Sequence, residues 1–539
     1  MLFTKKMYGS FFKILSFLLI FQTIFLLSSC RVNNQSPFGR TDGSEESFNS
    51  TDNGKTLTYW VRLPSTLATV VSNLGETPFG QEIQKRTGVN VTYIHPTSQG
   101  KTELNILLAS GALPDIISTD WYNMPGGPER ALTDGNILKL NNIIDAYSPN
   151  LKKYLMDNPQ IDKAVKTDNS NYYVYPFIRG SDSLAVSYGP IIRKDWLNEL
   201  GLQVPETIDE WYITLKAFKE RKGVEAPLSF SLKEALSVGT FIGAFGTTLG
   251  IYLDNGVVKY GPIEDGASEF LSVFRKWYNE RLIDRNINRI NSKIIDSNIL
   301  KGKSGASVAS AGSYLGKWLA LGQDDNPQFD LVGTPYPVLT KGERPKFGQR
   351  DFKYTSYNGA AISGKCKNVE LAARFLDYGY SEEGHMLFNF GIEGESYNMD
   401  NGFPQYSPLI MNNPNGLAMS TSISLYALAN NSGPFVQDER YIEQYYSREQ
   451  QRNAAKAWVE TDVEKYMMPQ VDFNQEESAE VGKIMCEVES YVDDMYLKFI
   501  MGIEPIENVD GFVDQVRKMG IDTVLKYFQN ALVRFDQRK

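Results

Sequence analysis

The chain has 539 residues, 64 acidic and 55 basic, and a net charge of −9, which argues against nucleic acid or anionic lipid as its main partner. Two histidines, His95 and His385, are thin material for a zinc centre or a histidine-based triad. Besides Cys30 only Cys366 and Cys486 occur, so no disulfide framework holds the fold, and whether these two pair is left open.

Lys5, Lys6 and Lys13 precede an apolar run from Ile14 to Leu27, which ends in Leu27-Ser28-Ser29-Cys30. A basic head, a short apolar middle and small residues describe a secretory signal peptide over 1–29. The run is shorter than the roughly 20 residues that span a bilayer. Its end resembles a bacterial lipobox, which implies that Cys30 becomes the first mature residue and carries lipid. Loss of the leader removes three lysines and takes the net charge from −9 to −12. Residues 30–55, rich in Gly, Ser, Asp, Glu and Asn, read as a flexible tether.

The fold is expected to begin at Lys55–Val61, a β-rich alternation. A helix over Thr77–Thr87, closed by Gly88, leads to a strand over Val89–Ile94. Leu104, Leu107 and Leu108 share one side of a helix that stops at Gly111, and Leu113–Ile117 is a short buried strand. Strand alternating with helix describes an α/β lobe with a mostly parallel sheet, whose ligands bind beyond the carboxyl ends of the strands. Asp120, Trp121 and Tyr122 occupy such an end.

Later elements follow the same logic. Asp195-Trp196 opens a helix, Gly201 ends it, and Pro205 with Thr207 starts the next at Asp209-Glu210-Trp211; Trp196 and Trp211 are read as core. Tyr172–Pro176 and Leu184–Tyr188 are predicted strands around a turn at Gly180. Asp254-Asn255-Gly256 has hairpin chemistry. A helix near Ser268–Arg281 aligns Phe270, Phe274, Trp277 and Tyr278 on a core face, and Asn398–Gly402 predicts a second hairpin. Two tail helices, 477–499 and 509–535, are expected to pack across the outside.

The run Leu107-Leu108-Ala109-Ser110-Gly111-Ala112-Leu113-Pro114-Asp115-Ile116 resembles the hallmark of extracellular solute-binding proteins of sugar-type ABC importers. Arg193–Leu202 with Val204–Trp211, Lys367–Tyr378, Gly391-Ile392-Glu393-Gly394 and the ending from Gly511 to Phe528 are similar to the long lipoprotein, alginate-binding-like subgroup, in the right order. The resemblance covers about residues 56–535. It implies a two-lobed, periplasmic-binding-protein-like α/β fold with crossing strands, a cleft between the lobes and extra C-terminal helices. The expected division is 56–182 and 336–410 for the first lobe, 183–335 for the second, and 411–539 for a return to the second lobe with the tail helices.

The implied function is capture of an oligosaccharide and its delivery to ABC permease subunits by a monomer lipid-anchored outside the cytoplasmic membrane, without cofactor, metal or catalysis. In similar proteins an aromatic at the start of a second-lobe helix stacks on sugar; Tyr314 matches that place, and Trp318, one turn on, is ligand contact or core. Glu393 and Tyr397 face the cleft or serve the local backbone. Trp60, Arg179, Tyr188, Tyr357 and Asn358 complete the candidate ligand set. Some relatives carry a calcium loop, of which Asp168-Asn169-Ser170-Asn171 is a poor version. The alternative, an exported glycoside hydrolase, needs two carboxylates across the scissile bond, and no motif marks such a pair.

Overall fold

A computed structural model describes residues 55–97 and 100–539. The leader, Cys30 and the tether lie outside the described residues, as do the side chains of Tyr357 and Asn358. In chain order the strands are β1 Thr56–Trp60, β2 Asn90–Ile94, β3 Ile116–Ser118, β4 Tyr175–Arg179, β5 Tyr188–Arg193, β6 Ile251–Asp254, β7 Val257–Tyr260, β8 Ala306–Ser310, β9 Leu331–Gly333, β10 Tyr354–Ile362, β11 Tyr397–Asp400, β12 Phe403–Tyr406 and β13 Val436–Gln437.

Two sheets organise the two lobes. The first has the order β13-β4-β10-β3-β1-β2 and the second β8-β5-β9. β1 runs parallel to β2 and β3, as β–α–β connections require, whereas β10 lies antiparallel to β3 and β4. β10 returns from the second lobe and enters the sheet from the opposite end. Leu57, Ile83, Ile116, Phe177 and Ile362 are among the side chains that close the first core. Trp211, Phe218, Phe241, Phe274 and Trp277 centre the second, where Phe241 and Trp211 meet edge to face at 5.1 Å.

Local signals act where they were legible. Thr77 caps the helix Pro78–Thr87 through Gly80 N, and Gly88 ends it at φ 65°. Thr207 and Glu210 form a reciprocal capping box on the helix Ile208–Arg221. Asn255 (φ 51°) and Gly256 (φ 80°) make the β6–β7 turn, which needs positive φ at both central residues. Asn401 and Gly402 repeat it between β11 and β12.

Four expectations shift. β3 starts at Ile116 rather than Leu113 because Pro114 has no N–H to give and Asp115 pairs through its side chain, accepting from Thr58 N (2.9 Å) and Thr58 Oγ1 (2.7 Å). β4 and β5 lie three to four residues later than the predicted pair, and a short 3-10 turn, Asp182–Ala185, stands between them. β13, inside the span expected to return to the second lobe, pairs in parallel with β4 of the first sheet. The tail forms three helices, Gln475–Met501, Val509–Lys518 and Ile521–Asp536. These do not merely cover the surface: Val488, Val492, Phe499, Phe512 and Val516 are buried in the same cluster as Trp211 and Trp277. Among the described residues no helix is long and apolar enough to cross a membrane.

Candidate functional site

Between β4 and β5 the chain leaves the first sheet and enters the second, and a cavity of about 750 Å³ opens beside this passage. Its wall is assembled from segments far apart in sequence. Arg62 and Ser65 follow β1; Phe177 and Arg179 lie on β4; Arg350, Asp351 and Phe352 precede β10; Asn430 and Asn431 come from the approach to β13 and Gln437 from β13 itself. Tyr441 and Ser187 line it as well.

The passages are laced to one another. Gln349 Oε1 accepts from Ser187 N (2.7 Å) and Tyr188 N (3.3 Å), while its Nε2 donates to Ala185 O (3.2 Å) and Asp351 Oδ1 (3.0 Å). Buried Tyr336 donates to Tyr188 O (2.5 Å) and accepts from Gln349 N (2.9 Å). Asp182 pairs with Lys353 (2.5 Å) and Arg350 (3.5 Å). Burial would raise its pKa, but these cations outweigh burial and hold the carboxyl below its ordinary range. Gly180 N donates to Gln437 O (3.0 Å), and a Cβ on Gly180 would stand 2.5 Å from that oxygen, so glycine is required at this close approach.

Within the cavity Arg179 donates to Phe352 O (2.6 Å) and to Asp351 Oδ2 (2.9 Å), and its guanidinium lies 5.4 Å from the Phe177 ring. The Arg350 side chain, 6% exposed, is held by Glu464 (2.7 Å). Arg62 is exposed and, among the described residues, has no hydrogen-bond or ion-pair partner. Next to the lining residue Gln437, buried Asp438 contacts His385 Nε2 (2.8 Å) and Arg440 Nη2 (2.5 Å) and caps the helix Glu439–Tyr445 through Arg440 N. Burial pushes its pKa up, yet the hydrogen bonds from His385 and Arg440 prevail and hold it well below the carboxylate range.

Of the candidate ligand residues, Arg179 lines this cavity. Trp60 and Trp121, 7% and 0% exposed, pack together in a cluster with Leu104 and Ile117. Asp120 turns to Asn123, with Nδ2 at 2.7 Å, and Tyr122 donates to Val471 O at 2.7 Å. Trp318 is fully buried and donates to Asp296 (2.8 Å); half-buried Tyr314 lies 5.3 Å from its ring. The Tyr188 hydroxyl is 3.1 Å from both Glu234 Oε2 and Val308 O. Glu393 is exposed and Tyr397 is buried against Phe390. Sequence reading missed Arg62, Arg350, Asp351, Asn430, Asn431 and Gln437. All but Gln437, which ends the two-residue strand β13, lie on irregular segments joined only in three dimensions, where no local pattern marks them.

The poor calcium-loop sequence has a different role. Asp168 accepts from Arg534 Nε (2.9 Å) and from Arg538 Nε (3.0 Å) and Nη2 (2.8 Å). Arg538, with a side chain 1% exposed, also pairs with Asp472 (3.0 Å), and Arg534 with Glu477 (2.7 Å). Among the described residues no group of three or more His, Cys, Asp or Glu side chains could hold a metal. Cys366 and Cys486 are free thiols.

Two α/β lobes joined by laced crossings around a polar cavity define a ligand-binding architecture. The profile of the family described as "Bacterial extracellular solute-binding protein" matches residues 74–386, and the chain belongs to that family. It is similar to lipoprotein LipO of Bacillus subtilis (strain 168), 25% identical over 487 residues, which cover 86% of this chain and 91% of that protein. It is 27% identical over 340 residues to the fructooligosaccharide ABC transporter substrate-binding protein FusA of Streptococcus pneumoniae serotype 4, covering 58% and 60% of the two chains. Among solved structures the alginate-binding protein AlgQ2, in a calcium-free crystal form, shares the fold at a TM-score of 0.68, with 24% identity over 90% of this chain and 99% of that one.

Proposed function

We propose that this protein is the substrate-binding component of an oligosaccharide ABC importer, tethered outside the cytoplasmic membrane through lipid on Cys30. The observation that carries the reading is the cavity at the crossings: about 750 Å³ lies within the roughly 300–1,000 Å³ typical of ligand sites. Its mix of amides, hydroxyls and guanidinium groups suits sugar hydroxyls, while Phe177, Phe352 and Tyr441 supply apolar surface. Family membership and the named carbohydrate ligands of FusA and AlgQ2 support the same reading. The lobes swing about the crossings near 180–187 and 334–353 and the helix after β13, and ligand shifts the equilibrium towards the closed form. The closed protein then docks on the permease. On closure Tyr188 and Tyr314 of the second lobe reach the ligand bound by the first.

A hydrolase would need a pair of carboxylates about 5–9.5 Å apart across the bond. Asp351 is the carboxylate among the cavity's described lining residues, and it is engaged by Arg179 and Gln349. A thermal-shift screen over oligosaccharides tests the reading. A ligand at 100 times its Kd adds about 2.7 kcal/mol to stability. Stabilisation with no new reducing ends supports capture; new reducing ends, or no stabilisation by any oligosaccharide, contradicts it.

A further inference from the structure

This inference rests on the oligosaccharide reading and concerns what holds the cavity's wall in shape. Two stretches of that wall, Pro64-Ser65 after β1 and Asn430-Asn431 before β13, are far apart in sequence. They are joined through one hydroxyl that itself does not line the cavity, that of Ser424 on the helix Met419–Tyr426. Ser424 has no exposed surface. Its proton is shared between Ser420 O (2.9 Å) and Asn430 Oδ1 (3.1 Å), and its Oγ accepts from Asn431 Nδ2 (3.1 Å). With that proton committed, Thr66 is the donor in the 2.8 Å contact between the Thr66 and Ser424 hydroxyls. The oxygen thus has both lone pairs and its proton in use.

The neighbouring amides complete the network. Asn430 Nδ2 donates to Ser420 O (2.8 Å), and Asn431 Nδ2 donates to Asn430 Oδ1 (3.0 Å) as well as to Ser424. Both Asn431 amide hydrogens are committed, so its side chain has only a carbonyl oxygen to offer an incoming hydroxyl. A buried serine inside a helix is a poor choice for packing, because it gives up apolar contact and competes for the helix's own carbonyls. Ser422 on the same helix shows that cost alone: it is equally buried, and its hydroxyl has no hydrogen-bond partner among the described residues. Ser424 differs in connecting three segments of chain, two of which carry cavity wall.

We propose that Ser424 is a positioning residue for ligand capture: its hydroxyl fixes the Pro64–Thr66 and Asn430–Asn431 stretches against each other, and so presents the Asn431 carbonyl oxygen to a sugar hydroxyl. Removal of that one oxygen takes a partner from Thr66, Asn430 and Asn431 together. The wall must then be ordered anew whenever a ligand enters, and affinity falls by that cost.

Hydrogen–deuterium exchange and calorimetric titration of the full-length protein in detergent micelles test this. The variants are Ser424→Ala, the isosteric Thr66→Val, their combination, and Ser422→Ala as the control. Without ligand, segments 62–68 and 428–433 should exchange faster together in Ser424→Ala and in Thr66→Val, and at the parent's rate in Ser422→Ala. The titrants are nystose, maltotetraose, xylotetraose and tetragalacturonate, at a temperature where every variant is folded. Whichever of them binds the parent should bind Ser424→Ala about tenfold and Thr66→Val about threefold more weakly. The combined variant should lose less than the product of the two, because both substitutions break the same node. Ser422→Ala should bind like the parent. Thr66→Val carries the test alone should Ser424→Ala fail to fold. Wall segments that exchange as in the parent, affinities unchanged in both variants, or an equal loss in Ser422→Ala would each overturn the positioning role and leave the oligosaccharide reading standing. If none of the four sugars binds the parent, the positioning role falls together with that reading.

Discussion

Two groups of arginines sit where the lobes meet, and they behave in opposite ways. In the cleft, Arg62 is exposed and, among the described residues, unpaired, and Arg179 is held partly by a backbone carbonyl. At the far end of the chain, Arg538 is buried and Arg534 half-buried, and their guanidinium groups are enclosed by Asp168, Asp472 and Glu477. The same side chain therefore faces an open cavity in one place and fastens the fold in the other. Burial and the supply of acceptors decide which. A desolvated guanidinium must have its charge met inside the protein, whereas one facing an open cavity keeps its donors for whatever enters. The C-terminal knot ties residues 163–171 of the first lobe to the last helix, with Lys163 reaching Asp536 (3.3 Å) and Lys166 reaching the Lys539 carbonyl (2.9 Å).

The largest effect should come from the knot. Arg538→Ala leaves Asp168 and Asp472 facing each other without their buried cation, which costs about 3–5 kcal/mol. Chemical denaturation should show a lower midpoint of that order. A change under about 0.5 kcal/mol would mean that the knot does not hold the tail, and would erase the contrast with the cleft.

The second effect is a pH dependence of opposite sign at two buried carboxylates. Burial pushes Asp472 up to about 6, with Asp168 and Glu129 adding to the rise and Arg538 opposing it. In the unfolded chain an aspartate releases its proton near 3.9, so between about pH 4 and 6 the folded state binds more protons. Asp472 therefore contributes stability at low pH that is lost as pH rises through 6, roughly 2–3 kcal/mol in all. The stability difference between the parent and Asp472→Asn should decline across that window and flatten above it. Asp438 is depressed instead, so its contribution is present above about pH 4 and is lost on further acidification. The difference between the parent and Asp438→Asn should therefore rise with pH and level off above about pH 5. Parallel curves for the two variants would contradict the assigned environments.

An intermediate case sharpens the contrast. Arg350 lines the cavity but is paired with Asp182 and Glu464, both about half exposed. Arg350→Ala should cost about 1–2 kcal/mol of stability, reduced from the value of a fully buried pair by solvent screening, and should weaken ligand binding as well. The smallest effect belongs to Arg62→Gln, whose stability should remain within about 0.5 kcal/mol of the parent because the side chain is exposed and has no partner among the described residues. Differential scanning fluorimetry on the two variants is sufficient. Equal destabilisation by both would remove the distinction between them.

Much of the scaffold was legible because its signals are local. Gly88, Gly111 and Gly201 end helices with positive φ, and the Asn-Gly turns at 255–256 and 401–402 close hairpins, all from residues adjacent in sequence. The stripe Phe270, Phe274, Trp277 and Tyr278 announces a core face by its spacing, and all four are buried. The packing of the tail into the second core carried a comparable signal, since Val488, Val492, Tyr496 and Phe499 recur at helical spacing. The cleft was harder to read. Arg179, named from the sequence, lines the cavity, but Asn431 and Arg350 belong to irregular segments whose meeting depends on the crossings of the chain. Aromatic content gave no guide, because rings also make cores: Trp121 and Trp318 have no exposed surface and offer no face to a ligand in this conformation.

Hydrogen–deuterium exchange with and without the most stabilising oligosaccharide tests the central claim most directly, because it locates the ligand without assuming which residues bind it. Protection should concentrate in residues 62–65, 177–187, 349–355 and 430–441, the four segments that wall the cavity. If those segments exchange unchanged at saturation while protection falls on 120–124 or elsewhere in the fold, the cavity is not the ligand site.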